Sequence, residues 1–397
     1  MSTETAATTA SVPDEWIRRI PKVDLHCHLI GTVRASTFAE LARREGLALP
    51  ADPERIFADI NSLPPDPALY RDTVVPVPQD RSAGEPDVSY SLFQVSEWVV
   101  QVLRSAEDLT RIVYEAFEDA HHRSGTRHLE LFFDGVPEHL AGLGYRGSIE
   151  AYTDGIRAAE RDFGMTGRMI AGIDRSRSGE EALALVQQVV DSPHEYVAGI
   201  GLDNLETAGP PERFAEAYAL AGRAGLGRTA HSSEHAPTAA NTITCLDLLG
   251  CDRIDHGYFV LEDPAVVERM REDGVVFTVA STTSRRSWRP WRRASIRAML
   301  DAGLHVTPCS DDPGMFPTTL ADEYRIAAGP IGATHAQLRA MALTGVDASW
   351  LPAAEKARLH EDFTTELDAL DTEFGLESTE ARAQDASEND ITSPEGP

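Results

Sequence analysis

Two hydrophobic patterns alternate along most of the chain. Short runs that read as strand-like, set off by turn residues, predict strands. Longer stretches with apolar residues three and four apart predict amphipathic helices. The first run is 22–28, and a helix over 37–45 follows, with Ser36 as its N-cap and Phe38 and Leu41 on its apolar side. From residue 50 to about 90, Pro, Asp and Gly break the pattern, which predicts short helices and a long loop, most mobile over 76–90. Helices over 92–103 and 109–124 come next. A regular rhythm then sets in, with strands at 127–133, 168–173, 196–202, 228–231, 253–256, 275–280 and 304–308. Helices over 149–163, 179–191, 211–224, 239–249, 264–272 and 295–302 separate them.

Strand–helix alternation predicts a parallel sheet. Counted from residue 22, eight such strands spread over about 300 residues point to an α/β fold, a closed (β/α)8 TIM barrel, more than to an open doubly wound sheet. No Gly-x-Gly-x-x-Gly follows the first strand, which counts against the open sheet. Extra helices flank the barrel, with the region from about 334 to 370 helical and packed outside it. The domain reading is a disordered N-terminus over 1–13, one barrel domain over 14–370, and a disordered acidic tail over 371–397.

The formal net charge of −28 makes nucleic acid and anionic membranes improbable partners. No apolar run is long enough for a membrane span, and the first residues carry neither a basic nor an apolar segment. Four cysteines without a Cys-x-x-Cys argue for free thiols in a reducing, cytoplasmic setting. Oligomeric state is not legible. Lysine occurs only at Lys22 and Lys356, so arginine supplies nearly all cations.

Candidate chemistry gathers where strands end, the end at which barrels of this kind carry their sites. His26 and His28, two apart on a strand, face the same way. His231 ends the fifth strand with Glu234 three residues on, His256 ends the sixth, and Asp311 and Asp312 follow the eighth. Each alone reads more simply as a buried histidine or a turn carboxylate. Together, three imidazoles and a carboxylate suit a metal site, best one Zn2+, with iron or another divalent ion open. Lys22 lies at the wrong end of the first strand and Lys356 lies outside the repeats, so no lysine can bridge two ions and a mononuclear site is expected. A single metal makes hydroxide available at neutral pH, and Glu234 and His256 are then free to move protons. That is a hydrolase's equipment.

From residue 20 to about 350 the chain resembles the adenosine deaminase family of metal-dependent amidohydrolases. The resemblance rests on Pro21-Lys22-Val23-Asp24-Leu25-His26-Cys27-His28-Leu29, Arg228-Thr229-Ala230-His231 with Glu234, Arg253-Ile254-Asp255-His256-Gly257 and Ser310-Asp311-Asp312-Pro313, in the family's order. It implies that His26, His28, His231 and Asp311 hold zinc. It implies that Glu234 protonates purine N1, that His256 orients the attacking hydroxide and acts as base, and that Asp312 helps position it and meets N7. The implied reaction is hydrolytic deamination of adenosine or a related 6-aminopurine at C6, with release of ammonia.

The departures concern substrate. His231-Ser232-Ser233-Glu234 replaces His-Ala-Gly-Glu, and Ile30 stands where an acidic residue would hold a ribose hydroxyl. Asn204 falls where a glycine N–H would meet the purine, and His28 also borders the substrate. Ser281-Thr282-Thr283-Ser284-Arg285-Arg286 replaces Cys-Pro-x-Ser after strand seven. Arg285 and Arg286 lead a cluster with Arg289, Arg292, Arg293 and Arg297, which is either a solvated helix face or a site for an anionic substrate group. A modified or anionic adenine nucleoside or nucleotide is therefore one alternative. A non-catalytic metal-binding barrel is another, and a zinc hydrolase opening an amide or ester is a third.

Overall fold

The computed structural model describes residues 12–61, 67–78, 88–133, 142–283 and 286–376. Eight strands form the barrel: β1 (Lys22–His28), β2 (Thr126–Phe133), β3 (Thr166–Asp174), β4 (Val197–Asp203), β5 (Gly227–Ser232), β6 (Ile254–His256), β7 (Val276–Val279) and β8 (His305–Pro308). Each pairs in parallel with the next, in chain order. Closure comes just past β8, where Cys27 of β1 bridges Asp311. The His28 N–H donates to the Asp311 carbonyl at 2.8 Å, and the Asp311 N–H donates to the His26 carbonyl at 3.0 Å. The barrel's last hydrogen bonds thus run through three of the candidate metal ligands.

The strands form because both faces are covered. β1 buries six of its seven residues, polar ones included. At the N-terminal end Trp350 seats against two glycines: a Cβ on Gly227 would lie 2.3 Å from its ring, and one on Gly199 2.4 Å. Arg253 stacks 4.0 Å over the same ring and pairs with Glu130 at 2.7 Å, so this end is stoppered and the C-terminal end is left for chemistry. Lys22 is fully buried at the stoppered end, donating to the Ile20 carbonyl at 2.8 Å.

Several boundaries differ from the sequence reading. The early helix begins at Ala35, with Arg34 rather than Ser36 preceding it and no side-chain cap. Gly144–Phe163 starts five residues before the expected 149, because Gly144-Tyr145-Arg146-Gly147-Ser148 holds two glycines, poor helix formers that read as a loop. Arg289–Asp301 starts six residues before the expected 295, with Pro290 in its first turn. In the broken region, Ile60–Asn61 and Tyr90–Ser91 make a small parallel ladder. The expected tail boundary at 370 is too early: Ala353–Phe374 is helical and Asp371 is buried. Asp371 accepts from Trp16 Nε1 at 2.8 Å and contacts His335 Nε2 at 2.7 Å, which ties this helix to the N-terminal one, Asp14–Arg19. The expectations for 1–11 and 377–397, and for much of 76–90, lie outside the described residues. No helix among the described residues is long and apolar enough to cross a membrane.

Candidate active site

Among the described residues, non-glycine residues of positive φ are Asn204, Ser233, His256 and Asp311. All follow or end a strand at the barrel's C-terminal end: β4, β5, β6 and β8. Such conformations cost energy for residues with a Cβ and cluster where function over-determines them. Here they turn successive strand ends inward toward one point.

At that point His26, His28, His231 and Asp311 each offer one ligand atom, all within 4.8 Å of one another. His26 and His231 face each other through Nε2 at 3.1 Å, and His28 and His231 at 3.2 Å. Asp311 Oδ1 lies 3.6 Å from Nε2 of both His26 and His28. Donors roughly 2 Å from a shared tetrahedral ion lie about 3.3 Å apart, so the four fit one divalent metal. The protonation states agree. Burial pushes the His26 imidazole down to about 3 and holds His28 well below the usual histidine range, so both are neutral and able to ligate.

A residue read only as part of a motif, Asp255, orients these imidazoles. It is fully buried on β6, with Oδ1 3.7 Å from His26 Nδ1 and Oδ2 3.5 Å from His231 Nδ1. Thr278 Oγ1 donates to Asp255 at 2.8 Å and lies 3.1 Å from His26 Nδ1. Since the Thr278 proton goes to the carboxylate, His26 must donate from Nδ1, which leaves its Nε2 lone pair aimed at the cluster. Burial alone would raise the Asp255 carboxyl, but His26, His231 and Arg253 hold it far below the usual carboxylate range.

Glu234 and His256 stand beside the four donors, with His256 Nε2 3.6 Å from Glu234 Oε2. Asp312 packs on Gly31, where an added Cβ would lie 2.0 Å from its Oδ1. The loop carrying Glu234 hangs on Glu206, which sequence reading missed. This buried carboxylate accepts from the N–H groups of Ser233, Glu234, His235 and Ala236 and from Asn241 Nδ2, at 2.8–2.9 Å. Five donors on one carboxylate fix the turn that lets Ser233 adopt its positive φ.

The arginine cluster resolves unevenly. Arg285 lies outside the described residues. Arg286 donates to the carbonyl of Ala58, at the end of the helix Pro53–Ala58. The one that enters the site is Arg292, 1% exposed, whose guanidinium pairs with Glu234. Burial alone would raise the Glu234 carboxyl, but His235, His256 and Arg292 outweigh it and hold the group well below the carboxylate range. Asn204, the other expected substrate contact, donates to Asp174 at 2.9 Å and accepts from its neighbour Leu205 N–H at 2.6 Å. Its φ of 69° is the conformation a glycine would favour at that position. Ile30 is buried.

An aromatic wall flanks Arg292. Tyr70 packs 5.7 Å from Phe259 and 5.0 Å, edge-on, from Trp288. Trp291 donates to the Val75 carbonyl at 3.0 Å and lies 4.9 Å from Phe259. The segment around Tyr70 therefore covers the loops after β5, β6 and β7.

The sequence profile of adenosine deaminase matches residues 78–366. The chain belongs to the adenosine deaminase family. Family members of this kind are hydrolytic deaminases that use a divalent metal, and this chain is such an enzyme. An adenine deaminase of Streptomyces coelicolor is 30% identical over 357 residues, covering 87% of this chain and 95% of that protein. One from Rhodospirillum rubrum is 28% identical over 352 residues, covering 88% and 98%. Among solved structures, a COG1816 amidohydrolase of Burkholderia ambifaria with bound Zn superposes with TM-score 0.77 at 31% identity, covering 94% of this chain and 98% of that one. The adenine deaminase of Arthrobacter aurescens gives 0.73 at 27%, covering 88% and 99%.

Proposed function

We propose that this family member deaminates a 6-aminopurine, with His26, His28, His231 and Asp311 holding one zinc ion. The observation that carries the reading is Glu234 and His256 in contact at 3.6 Å beside a four-donor cluster of zinc-like spacing. A divalent ion bound there supplies hydroxide near neutral pH. His256, a buried neutral imidazole, and Asp312 orient the attacking water and accept its proton. Glu234 delivers a proton to N1. It first takes that proton up as the ring enters and weakens its pairing with Arg292. C6 gains the water oxygen; one water proton passes by way of His256 to the amino group, which leaves as ammonia, and the other leaves the C6 hydroxyl to restore Glu234, while N1 keeps the proton that Glu234 delivered.

The chain's relatives are adenine deaminases by name, and Ile30 offers no acceptor to a ribose hydroxyl, so the free base or a base with an altered ribose side is favoured over adenosine. Of the two arginines named for an anion, Arg286 is engaged by the Ala58 carbonyl and Arg285 lies outside the described residues, so the anionic-substrate alternative is an arm of the test. The test is ammonia release from adenine, adenosine, 5′-modified adenosines, AMP and N6-substituted forms. Glu234→Gln should retain metal and lose roughly 10²–10⁴-fold in turnover, the range for a general acid. A metal-free or fully active variant would remove Glu234 from this role.

A further inference from the structure

Glu234 and His256 approach each other to 3.6 Å and are linked again around the back. Arg292, from the helix Arg289–Asp301, pairs with Glu234 Oε1 through one guanidinium nitrogen. Through the other, Nη1, it donates to Tyr258 Oη at 3.3 Å and to the Ala280 carbonyl at 3.4 Å. Tyr258 Oη in turn lies 3.4 Å from His256 Nδ1. His256 Nε2 closes the ring at Glu234 Oε2. All four side chains are buried, and the Arg292 guanidinium carbon lies 5.0 Å from the centre of the Tyr258 ring.

Proton counting gives this ring a direction. The Tyr258 hydroxyl has one proton, and its shortest contact with an acceptor is the Ala280 carbonyl at 2.7 Å. The Ala280 N–H approaches the same oxygen from the donor side at 3.1 Å. With its proton committed to Ala280, Tyr258 offers His256 Nδ1 only lone pairs, which Arg292 Nη1 and the Ala280 N–H also approach, and the contact with Nδ1 is favourable only when the imidazole carries its proton there. Nε2 is then left with its lone pair on the reaction side. Arg292 acts in parallel on Glu234. A guanidinium is planar and always charged, so it fixes Oε1, while Oε2 meets His235 Nδ1 at 2.8 Å and lies 3.6 Å from His256 Nε2.

We infer that Tyr258 and Arg292 are a positioning pair for the deamination. Tyr258 sets the tautomer that makes His256 a base at Nε2, and Arg292 sets the orientation of Glu234. The inference rests on the roles of His256 and Glu234 proposed above. Neither residue touches the reacting atoms. A purely architectural pair would hold the fold without caring which imidazole nitrogen carries the proton.

The first test needs no substrate. The chain, labelled with ¹⁵N-histidine and stripped of metal, is examined by NMR, with the His256 signals assigned by their absence in His256→Gln. The expected result is a neutral ring protonated on Nδ1 in the parent, and a ring shifted toward Nε2–H or a mixture in Tyr258→Phe. A parent ring protonated on Nε2, or a tautomer unchanged in Tyr258→Phe, overturns the Tyr258 role. The second test is kinetic, on whichever aminopurine is turned over. Tyr258→Phe should lower kcat ten-fold or more with KM and metal content unchanged. Arg292→Lys should retain more kcat than Arg292→Met, with both still folded and metal-loaded. Should Arg292→Met fail to fold, Arg292→Lys against the parent decides the point: an undiminished kcat overturns the Arg292 role. If no aminopurine is turned over while the tautomer shifts as expected, the proposed reaction fails and the His256–Tyr258 assignment stands.

Discussion

Gly31→Ala offers a sharp test of how Asp312 is held. Gly31 lies in the turn Ile30–Thr32 that follows β1. A methyl group there would lie 2.0 Å from Asp312 Oδ1 and 2.7 Å from its Cβ and Cγ. Ordinary contact begins near 3.4 Å, so Asp312 must retreat by about 1.4 Å or the turn must move. The turn is not free to move, because the Gly31 carbonyl accepts from Gly314 N–H at 2.7 Å and from Met315 N–H at 3.2 Å. Rotation of the Asp312 side chain can move its Oδ1 but not its Cβ, so the backbone at Asp312 must shift as well. A misplacement of about 1 Å in a positioning group costs about 10²-fold in rate, or about 3 kcal/mol of barrier. The four ligand donors are not in the methyl's path, so metal content should hold. The assay is kcat/KM for the best aminopurine, with metal analysis and Asp312→Ala run alongside. A Gly31→Ala enzyme with parental kcat/KM would show that Asp312 does not need its place. Loss of metal would show that the clash travels to Asp311 and that the two aspartates do not respond separately.

Glu206→Gln should set an amide NH2 against backbone N–H donors, lower the thermal midpoint and speed amide exchange at 233–236; unchanged exchange there would refute the clamp. Lys22 is pushed down to about 7 by burial, and by Arg325, Arg127 and Arg18 to a lesser extent. Its protonated form is therefore favoured by the unfolded chain, and stability should rise with pH from about 7 toward about 10.5, by up to about 1.4 kcal/mol per pH unit. Urea unfolding of the parent and Lys22→Met at pH 7, 8 and 9 should show the parent gaining stability relative to the variant as pH rises, and parallel curves would rule the shift out. Elemental analysis should find about one divalent ion per chain, and chelation should lower the thermal midpoint; two retained ions would contradict a single four-donor site.

The barrel was legible because short strand-like runs alternate with amphipathic helices at a regular spacing, which implies parallel strands. The four-donor cluster was legible because His26 and His28 obey the two-residue period of a strand and the others end or follow strands of the same sheet. Arg292 was named only as one of six arginines. In a chain with two lysines an arginine cluster reads as a solvated face, and the helix start was set too late, at 295. The signal was present nonetheless: Trp291, Ser295, Ile296 and Met299 trace a buried stripe at helical spacing, and Arg292 lies on it. Glu206 carried no comparable signal. It sits among Thr, Ala, Gly and Pro as any turn residue would, and its partners lie about 30 residues away on the next loop. Gly31 was invisible for a different reason, since its importance lies in what a side chain would strike across the barrel's closure.

The closure between Cys27 and Asp311 has a consequence for how the protein matures. Two of the four clustered donors come from the first strand, one from the fifth and one from just beyond the eighth, so they meet only after nearly the whole barrel sequence has been assembled. Contacts of such high sequence separation are slow to form, and ion affinity builds with the geometry that makes it. A nascent or partly opened chain would hold its histidines without their carboxylate, and metal would exchange readily. Tight metal retention therefore reports a completed molecule, and slow exchange of the ion and of the His28 and Asp311 amides should be gained together in refolding.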